Sequence, residues 1–384
     1  YYKNGRPVRV AFMQGDVVVS LNDSANYYFH APQVEISYDG NKETRIFYDR
    51  HGNRITVSGD VFRELFHLDE KGYRRALEFF GPDGEPVENS WGVSRYEWVV
   101  FDDGTVGEKR YGFDGELAEL RSGFPFYELR LHYGPGGWLA LMQNYGRGGE
   151  LSLNVLNAAQ DRLEFAANGD LLSWNVLDVS GAYAVGNGPG VARGILERDD
   201  RGYEIMERYE DENGDPITNS YGFSFTRKQN DRFGNLVEAS NYTLDGERLM
   251  ISEPRGYAGY KATYDEIGRN RLMIEFFDEE RRSVARKGRG YFRIRSEFDA
   301  AGNETATNYE DENGGLLERI DTGVARIERD FDQRGRLIET RFLNADRILV
   351  DHQRDGYGIE RKTYGAHGYA ETTTRYTATG AQTE

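Results

Sequence analysis

Two acidic turns of the chain carry residue types that can bind calcium. Their sequences are Glu210-Asp211-Glu212-Asn213-Gly214-Asp215 and Glu310-Asp311-Glu312-Asn313-Gly314. Calcium takes six to eight oxygen ligands, and the EF-hand order requires an acidic residue where Tyr209 and Tyr309 stand. Asp and Asn also form tight turns without any ion. We therefore expect no cofactor, with a surface calcium site at Asp211 and Asp311 as the alternative.

The sequence lacks the motifs that mark common catalytic sites. There are six histidines and no cysteine, and no HExxH, GxSxG or metal-spaced histidine pair occurs. His51 and His367 precede recurring glycines, which indicates turn residues. The loop Gly186-Asn187-Gly188-Pro189-Gly190 lacks the Gly-Lys-Ser/Thr ending of a phosphate loop, so we predict a hairpin turn. We expect no enzymatic activity; paired carboxylates for glycoside hydrolysis are the alternative.

Residues 151–195 form a charge-poor segment within a chain that is 29% charged. Its charged residues are Asp161, Arg162, Glu164, Asp170, Asp178 and Arg193. The segment contains Trp174 and Tyr183, and Trp138 lies just upstream. Interface cores are depleted in charge and enriched in Trp and Tyr, so Trp138, Trp174 and Tyr183 are the candidate partner-binding residues. The alternative is that the segment is a better-buried stretch of the same sheet.

The overall charge limits the class of partner. A net charge of −17 disfavours binding to nucleic acid, because such binding needs Lys and Arg to neutralise phosphates. It also disfavours docking on an anionic membrane surface. No apolar run approaches the ~20 residues of a transmembrane helix. We therefore expect a protein or a polysaccharide as the partner.

Glycines recur along the chain with a period of about 33 residues, which is the signature of a repeat architecture. The first series is Gly40, Gly72, Gly104, Gly136, Gly169, Gly202, Gly234, Gly268, Gly302, Gly335 and Gly368. A second series of glycines lies about twelve residues after many of the first. Two positions of this second series, near Glu280 and Asp346, have no glycine. The structural turn glycines that we expect to adopt positive φ include Gly72, Gly202, Gly234, Gly268, Gly302 and Gly335.

Side chains between the turns alternate with a period of two residues, as they do in strands. After Gly290, Phe292, Ile294 and Ser296 share one face, while Arg293 and Arg295 share the other. The predicted fold is an all-β, antiparallel array of hairpins, with about ten units and roughly three strands per unit, in an elongated or coiled sheet. Residues 1–39 are predicted to be a partial repeat with an insertion. Residues 40–384 are predicted to be a continuous array that contains the irregular charge-poor segment.

Several turns resemble the YD-repeat signature of RHS-type bacterial proteins. They are Tyr48-Asp49-Arg50-His51-Gly52-Asn53, Asp231-Arg232-Phe233-Gly234-Asn235, Tyr264-Asp265-Glu266-Ile267-Gly268 and Phe298-Asp299-Ala300-Ala301-Gly302-Asn303. The unit here is longer than that of the family, and many units lack the Asn after the glycine. The resemblance implies a bacterial, non-catalytic β-repeat scaffold that is periplasmic, on the cell surface or secreted.

These observations favour a non-catalytic scaffold that binds a protein or an envelope polymer through a broad sheet face. Such a chain is expected to be a subunit of a larger assembly. The alternative is a carbohydrate-active hydrolase with its acidic residues on one sheet face. Because Tyr1 lies inside a repeat unit, we also expect the gene product to extend upstream.

Overall fold

All regular elements of the protein are β-strands. The computed structural model describes residues 1–14, 17–18, 30–119, 124–251, 256–365 and 370–383. No helix occurs among these residues, so the predicted all-β class is confirmed. A helix long and apolar enough to cross a membrane is likewise not found in the described ranges. The insertion predicted within residues 1–39, around residues 22–33, lies mostly outside the described ranges, as do His367 and Gly368.

The chain divides into two compact units, each described here by itself. The first comprises Tyr1–Gly194 with Glu210–Asp215, and the second comprises Ile195–Tyr209 with Pro216–Glu384. The strands of the first unit are β1 (Tyr2–Lys3), β2 (Arg6–Pro7), β3 (Arg9–Ala11), β4 (Met13–Gln14), β5 (Val17–Val18), β6 (Gln33–Asp39), β7 (Lys42–Tyr48), β8 (Arg63–Leu68), β9 (Arg74–Phe80), β10 (Arg95–Val100), β11 (Val106–Tyr111), β12 (Glu128–Tyr133), β13 (Leu139–Tyr145), β14 (Gln160–Phe165) and β15 (Leu171–Leu177). Strands β3 and β6 to β15 pair with their sequence neighbours in one antiparallel sheet.

The second unit repeats the same antiparallel pattern. Strand β16 (Arg193–Arg198) contains Ile195, where this unit begins. The strands that follow are β17 (Glu204–Glu210), β18 (Phe225–Asn230), β19 (Leu236–Tyr242), β20 (Gly259–Tyr264), β21 (Arg271–Phe277), β22 (Arg293–Phe298), β23 (Glu304–Glu310), β24 (Arg326–Phe331), β25 (Leu337–Leu343), β26 (Ile359–Tyr364) and β27 (Ala370–Tyr376). Each strand from β17 to β26 pairs with the next.

A repeat consists of a hairpin followed by two further turns. In the hairpin of β22 and β23, a six-residue strand pairs with a seven-residue strand. The third strand predicted for each unit is here a single bridged residue. Leu316 pairs with Glu310, and the chain then turns again at Gly323. The same bridge recurs in other units, for example between Leu343 and Leu349.

In several hairpins an aspartate builds the turn, as Asp299 does between β22 and β23. Asp299 Oδ1 accepts the backbone N–H of Asn303 at 2.8 Å, and Asp299 Oδ2 accepts the Asn303 side-chain amide at 2.8 Å. The turn of Asp332 lacks this Asn, and the Arg336 side chain is its second donor, at 2.7 Å from Asp332 Oδ2. In the turn of Asp199, the hydrogen bond from the Arg201 side chain lowers the pKa of the carboxyl group. The Asp side chain therefore works as an anion that collects turn donors.

The turn glycines lie in the left-handed region, as predicted. Their φ values are 86° at Gly72, 86° at Gly202, 87° at Gly234, 69° at Gly268, 79° at Gly302 and 73° at Gly335. One assignment is wrong: the turn glycine of its unit is Gly137, with φ of 78°, and not Gly136. Where glycine is missing, Arg281 and Arg347 adopt φ of 67° and 61°.

We expect Gly302→Ala and Gly335→Ala each to lower the free energy of unfolding by about 1 kcal/mol, because alanine is strained at positive φ. Urea unfolding of each variant measures this loss. Ala301→Gly in the same turn is the control, since it adds no side chain at positive φ. Unchanged unfolding midpoints for both glycine variants would contradict the role of these residues.

The core of the first unit lies on one face of its sheet. Buried residues of this cluster include Val34, Phe47, Phe66, Leu77 and Phe79. They come from β6, β7, β8 and β9, and cross-strand register places them on one face. We call this face the core face. In the second unit, Tyr257, Phe276, Tyr291 and Tyr309 form an aromatic cluster.

Candidate functional site

Trp138 stacks on the next repeat. Its ring centroid is 5.8 Å from that of Phe165, and a Cβ added to Gly169 would lie 2.4 Å from Trp138 Cζ2. Tyr203 covers Gly234 in the same way, with 2.5 Å between the added Cβ and Cε1. Trp138 therefore performs a packing role that recurs in the array, while 45% of it stays exposed.

Trp174 lies on the core face, in the middle of β15. Its cross-strand partner is Leu163 on β14. A Cβ added to Gly194 would lie 2.2 Å from Trp174 Cε2, so the ring lies directly on the backbone of that glycine. The side chain is half-buried. The ring is therefore packed on Gly194, and part of the side chain remains exposed.

Tyr183 lies on the opposite face of the sheet. Its bridge partner is Leu177, which is three residues from Trp174 and therefore points to the other side of β15. The Arg193 guanidinium lies 5.3 Å from the Tyr183 ring centroid and donates to Asn175 Oδ1 at 3.0 Å. The register thus places Trp174 on the core face and Tyr183 on the other face, whereas Trp138 lies outside the strands, against Phe165.

We expect Trp174→Ala to lower the free energy of unfolding by about 2 to 3 kcal/mol, because the ring packs on Gly194 and Leu163 but is only half-buried. Thermal unfolding of the variant measures this loss. Trp91→Ala is the control, since Trp91 is 53% exposed and its loss should change stability by no more than about 0.5 kcal/mol. Equal losses in the two variants would contradict the packing role of Trp174.

The charge-poor segment exposes an apolar loop, residues 153–156. Leu153, Val155 and Leu156 are 42%, 67% and 37% exposed. Asn154 Oδ1 accepts the backbone N–H groups of Leu156 at 2.8 Å and Ala158 at 2.9 Å. The loop therefore presents apolar side chains on a backbone that hydrogen bonds hold in place.

A second turn fastens the apolar loop. The backbone N–H of Asn187 donates to the Leu156 carbonyl at 2.7 Å, and the Asn154 amide donates to Asn187 Oδ1 at 3.2 Å. The Asn187 amide in turn donates to Asp161 Oδ1 at 2.7 Å. The glycine-rich loop 186–190 is thus a turn that supports the apolar loop. A turn was predicted here because the sequence lacks the Gly-Lys-Ser/Thr ending of a phosphate loop.

The core face contains a charged cluster that was not predicted from the sequence. Arg45 Nε donates to Glu43 Oε1 at 2.8 Å, and Arg74 Nη2 donates to the same oxygen at 2.9 Å. Arg45 Nη1 lies 3.8 Å from Glu64 Oε2. Both guanidinium groups lie over the Phe66 ring, at 4.5 Å and 4.3 Å from its centroid. Burial raises the pKa of Glu64 to about 7, against the opposing effect of the two arginines.

The carboxylates proposed as calcium ligands are engaged in their turns. Asp211 Oδ1 accepts the N–H groups of Asn213 at 2.8 Å and Asp215 at 2.9 Å. The hydrogen bond from the Asp215 backbone lowers the pKa of Asp211. Asp311 Oδ1 likewise accepts two backbone N–H groups. Within the described part of the chain, no group of three or more His, Asp or Glu residues is placed to hold a metal ion.

The described histidines include turn and network residues. The His51 backbone N–H donates to Asp49 Oδ1 at 2.8 Å, which agrees with its assignment as a turn residue. His132 lies on the face opposite to the core face, where its ring nitrogens contact Thr105 Oγ1 at 3.0 Å and Gln143 Oε1 at 2.7 Å. These contacts link neighbouring strands.

Comparisons with known proteins find only distant structural likeness. No family's sequence profile matches the chain, and no curated protein matches it. The crystal structure of TcdB2-TccC3 is similar over 91% of this chain and 19% of that chain, with 13% identity and a TM-score of 0.35. The Photorhabdus luminescens Tc holotoxin pore is similar over 91% of this chain and 18% of that chain, with 12% identity and a TM-score of 0.35.

A mosquitocidal holotoxin is similar over 91% of this chain and 46% of that chain, with 9% identity and a TM-score of 0.14. This chain therefore spans less than half the length of each of these three structures. Likeness at these TM-scores supports no conclusion about function, and the fold assignment rests on the strands and their register.

Proposed function

We propose that the chain is a non-catalytic β-repeat scaffold that binds a protein partner through the charge-poor segment. The observation that carries this proposal is the apolar loop, in which Leu153, Val155 and Leu156 are exposed together. Contiguous exposed apolar side chains mark interaction surfaces more often than scattered ones do. The hydrogen bonds of Asn154 and Asn187 hold the loop, so little conformational entropy is lost on binding.

The scaffold is proposed to act within a larger bacterial assembly in the envelope or outside the cell. The repeat architecture supports this, because stacked hairpins offer extended surfaces and every unit relies on its neighbours for burial. The net charge of −17 supports a partner other than nucleic acid or an anionic membrane. A polysaccharide remains the second class of partner to be tested.

The alternative function is a carbohydrate-active hydrolase, and the specific observation in its favour is the Glu43 and Glu64 pair. Two carboxyl groups with different environments are typical of acid and base assignments in glycosidases. Their side chains are only 8% and 13% exposed, beside the buried Phe66 ring. A sugar would need to displace this packing, which favours the scaffold.

The experiment that tests the proposal changes the apolar loop and leaves the core intact. The full chain carries a photo-crosslinking amino acid at position 155, and crosslinked species are identified from the native source. We expect one protein partner, whose retention by the immobilised chain is lost in Val155→Asp. Ile348→Asp is the matched control, because Ile348 is 61% exposed and lies outside the charge-poor segment.

Both variants should unfold at the same temperature as the parent chain. Equal retention of the partner by Val155→Asp and Ile348→Asp would contradict the proposed surface. Retention from a protease-treated extract would instead assign a polysaccharide partner.

A further inference from the structure

Glu64 places a carboxyl group in the apolar cluster that holds the first strands together. Its side chain is 13% exposed. Its cross-strand neighbours are Arg45 on β7 and Phe79 on β9. The cluster beside it includes Phe47 and Phe66, both of which are buried. A carboxyl group in such a place is costly to ionise unless donors compensate it.

The two arginines nearest to Glu64 direct their hydrogen bonds to Glu43. Arg45 Nε and Arg74 Nη2 both bind Glu43 Oε1, at 2.8 Å and 2.9 Å. Arg45 Nη1 is 3.8 Å from Glu64 Oε2, which is beyond hydrogen-bonding distance. No hydrogen bond to the Glu64 carboxyl group is found among the residues that the structure describes. Glu43 therefore accepts hydrogen bonds from both guanidinium groups, whereas Glu64 has only the longer ion-pair contact with Arg45.

The other ionisable groups on this face do not change the assignment. Strand β6 contributes Tyr38, whose ring lies 4.9 Å from the Arg6 guanidinium and whose cross-strand partner is Glu43. Strand β10 contributes Tyr96 and Trp98 to the cluster. The charges that act on Glu64 are those of Arg45, Arg74 and Glu43.

We propose that Glu64 is a proton-controlled latch that sets how firmly β8 is held in the first unit. With its proton, the neutral carboxyl group stays in the apolar cluster, and Arg45 remains on Glu43. When the proton leaves, two carboxylates compete for the Arg45 guanidinium, and an ionised group stands in the apolar cluster. The packing of β8 against β7 and β9 then weakens.

The direction of the pH effect follows from linkage. An acid that binds its proton more tightly in the folded chain than in the unfolded chain makes stability fall as pH rises between the two pKa values. The unfolded pKa of a glutamate is about 4.3, and burial raises the folded pKa of Glu64 to about 7. Between pH 6 and pH 8, the equilibrium constant for opening this region should therefore increase about tenfold.

Hydrogen exchange of the full chain at pH 6 and pH 8, corrected for the intrinsic exchange rate, tests the latch. We expect the protection of amides in β7 and β8 to fall about tenfold at the higher pH. The hairpin of β18 and β19 in the second unit is the internal reference. It should show no such loss.

The variant Glu64→Gln should abolish the pH response of β7 and β8. Glu78→Gln is the control, because Glu78 lies on the opposite face, is 36% exposed and contacts His67 at 2.8 Å. It should retain the response. Equal protection at both pH values in the parent chain would overturn the proposal even if Glu64→Gln fails to fold. A response that persists in a folded Glu64→Gln would overturn it as well.

Discussion

Replacing Phe277 with alanine should lower the free energy of unfolding by about 4 kcal/mol, in the range measured for fully buried aromatic residues. Phe277 is 2% exposed. A Cβ added to Gly259 would lie 2.5 Å from Phe277 Cζ and 2.4 Å from the Ala239 carbonyl oxygen. The Phe277 ring therefore covers Gly259, whose other neighbour is the Ala239 backbone. Because this backbone is already close to Gly259, the sheet cannot move in to fill the cavity that alanine at position 277 would leave.

The loss of Phe277 also removes cation–π contacts. The guanidinium groups of Arg248 and Arg281 lie 5.8 Å and 5.2 Å from the ring centroid, and each such contact contributes about 0.5 to 1 kcal/mol. Urea unfolding at neutral pH measures the effect. Leu244→Ala, at a residue that is 53% exposed in the same unit, should change stability by no more than about 0.5 kcal/mol. A Phe277→Ala loss as small as that of the control would contradict the packing argument.

Replacing Arg326 with alanine should lower the free energy of unfolding by about 2 to 3 kcal/mol, because the buried Asn308 side chain loses its donor. Glu297 and Glu328, whose side chains are 48% and 30% exposed, can be hydrated instead. Arg326 is 8% exposed. Its Nη1 donates to Glu297 Oε1 and to Asn308 Oδ1, each at 2.6 Å, and its Nε donates to Glu328 Oε1 at 2.9 Å. Without the guanidinium group, two carboxylates and a buried amide lose their common donor.

The effect of Arg326 should depend on pH in a defined direction. The hydrogen bond from Arg326 lowers the pKa of Glu297 to about 2, whereas an unfolded glutamate has a pKa of about 4.3. The stabilisation is therefore fully present above about pH 5 and is lost as the pH falls toward 2. Unfolding of the parent chain and of Arg326→Ala from pH 7 to pH 2.5 should show a difference that shrinks on acidification.

Arg354→Ala is the control for this experiment, since Arg354 is an exposed arginine of the same unit. It should leave stability and its pH dependence nearly unchanged. A constant difference between the parent chain and Arg326→Ala down to pH 2.5 would show that the Glu297 contact is not responsible.

Local sequence determined the hairpins and their turns. The Asp299-to-Gly302 turn needs a carboxylate that accepts nearby N–H groups and a residue at positive φ, and both requirements are met within a few adjacent residues. This is why glycine spacing predicted the repeat and the all-β fold. The one wrong assignment, Gly136 in place of Gly137, arose because adjacent glycines are equivalent in sequence, whereas only Gly137 donates its N–H to the Gly134 carbonyl.

The placement of the candidate site residues was decided by cross-strand register. Trp174 and Tyr183 lie in one charge-poor stretch of sequence, yet the bridge between Tyr183 and Leu177 puts them on opposite faces. Exposure within the segment also differs, since Val155 in the apolar loop is 67% exposed while Trp174 is half-buried. Sequence patterning indicates which side chains alternate along a strand. It does not indicate which strand covers them.

Sequence by itself determined that this chain folds as an antiparallel array of glycine-turned hairpins, because turn conformation depends on neighbouring residues. Only the tertiary structure decided that Glu43, Arg45, Glu64 and Arg74 meet on the core face. They come from three strands, and Arg74 and Glu43 are 31 residues apart. These contacts depend on how successive hairpins align. The burial of Phe47, Phe66 and Phe79 against one another sets that alignment, and local sequence preference does not.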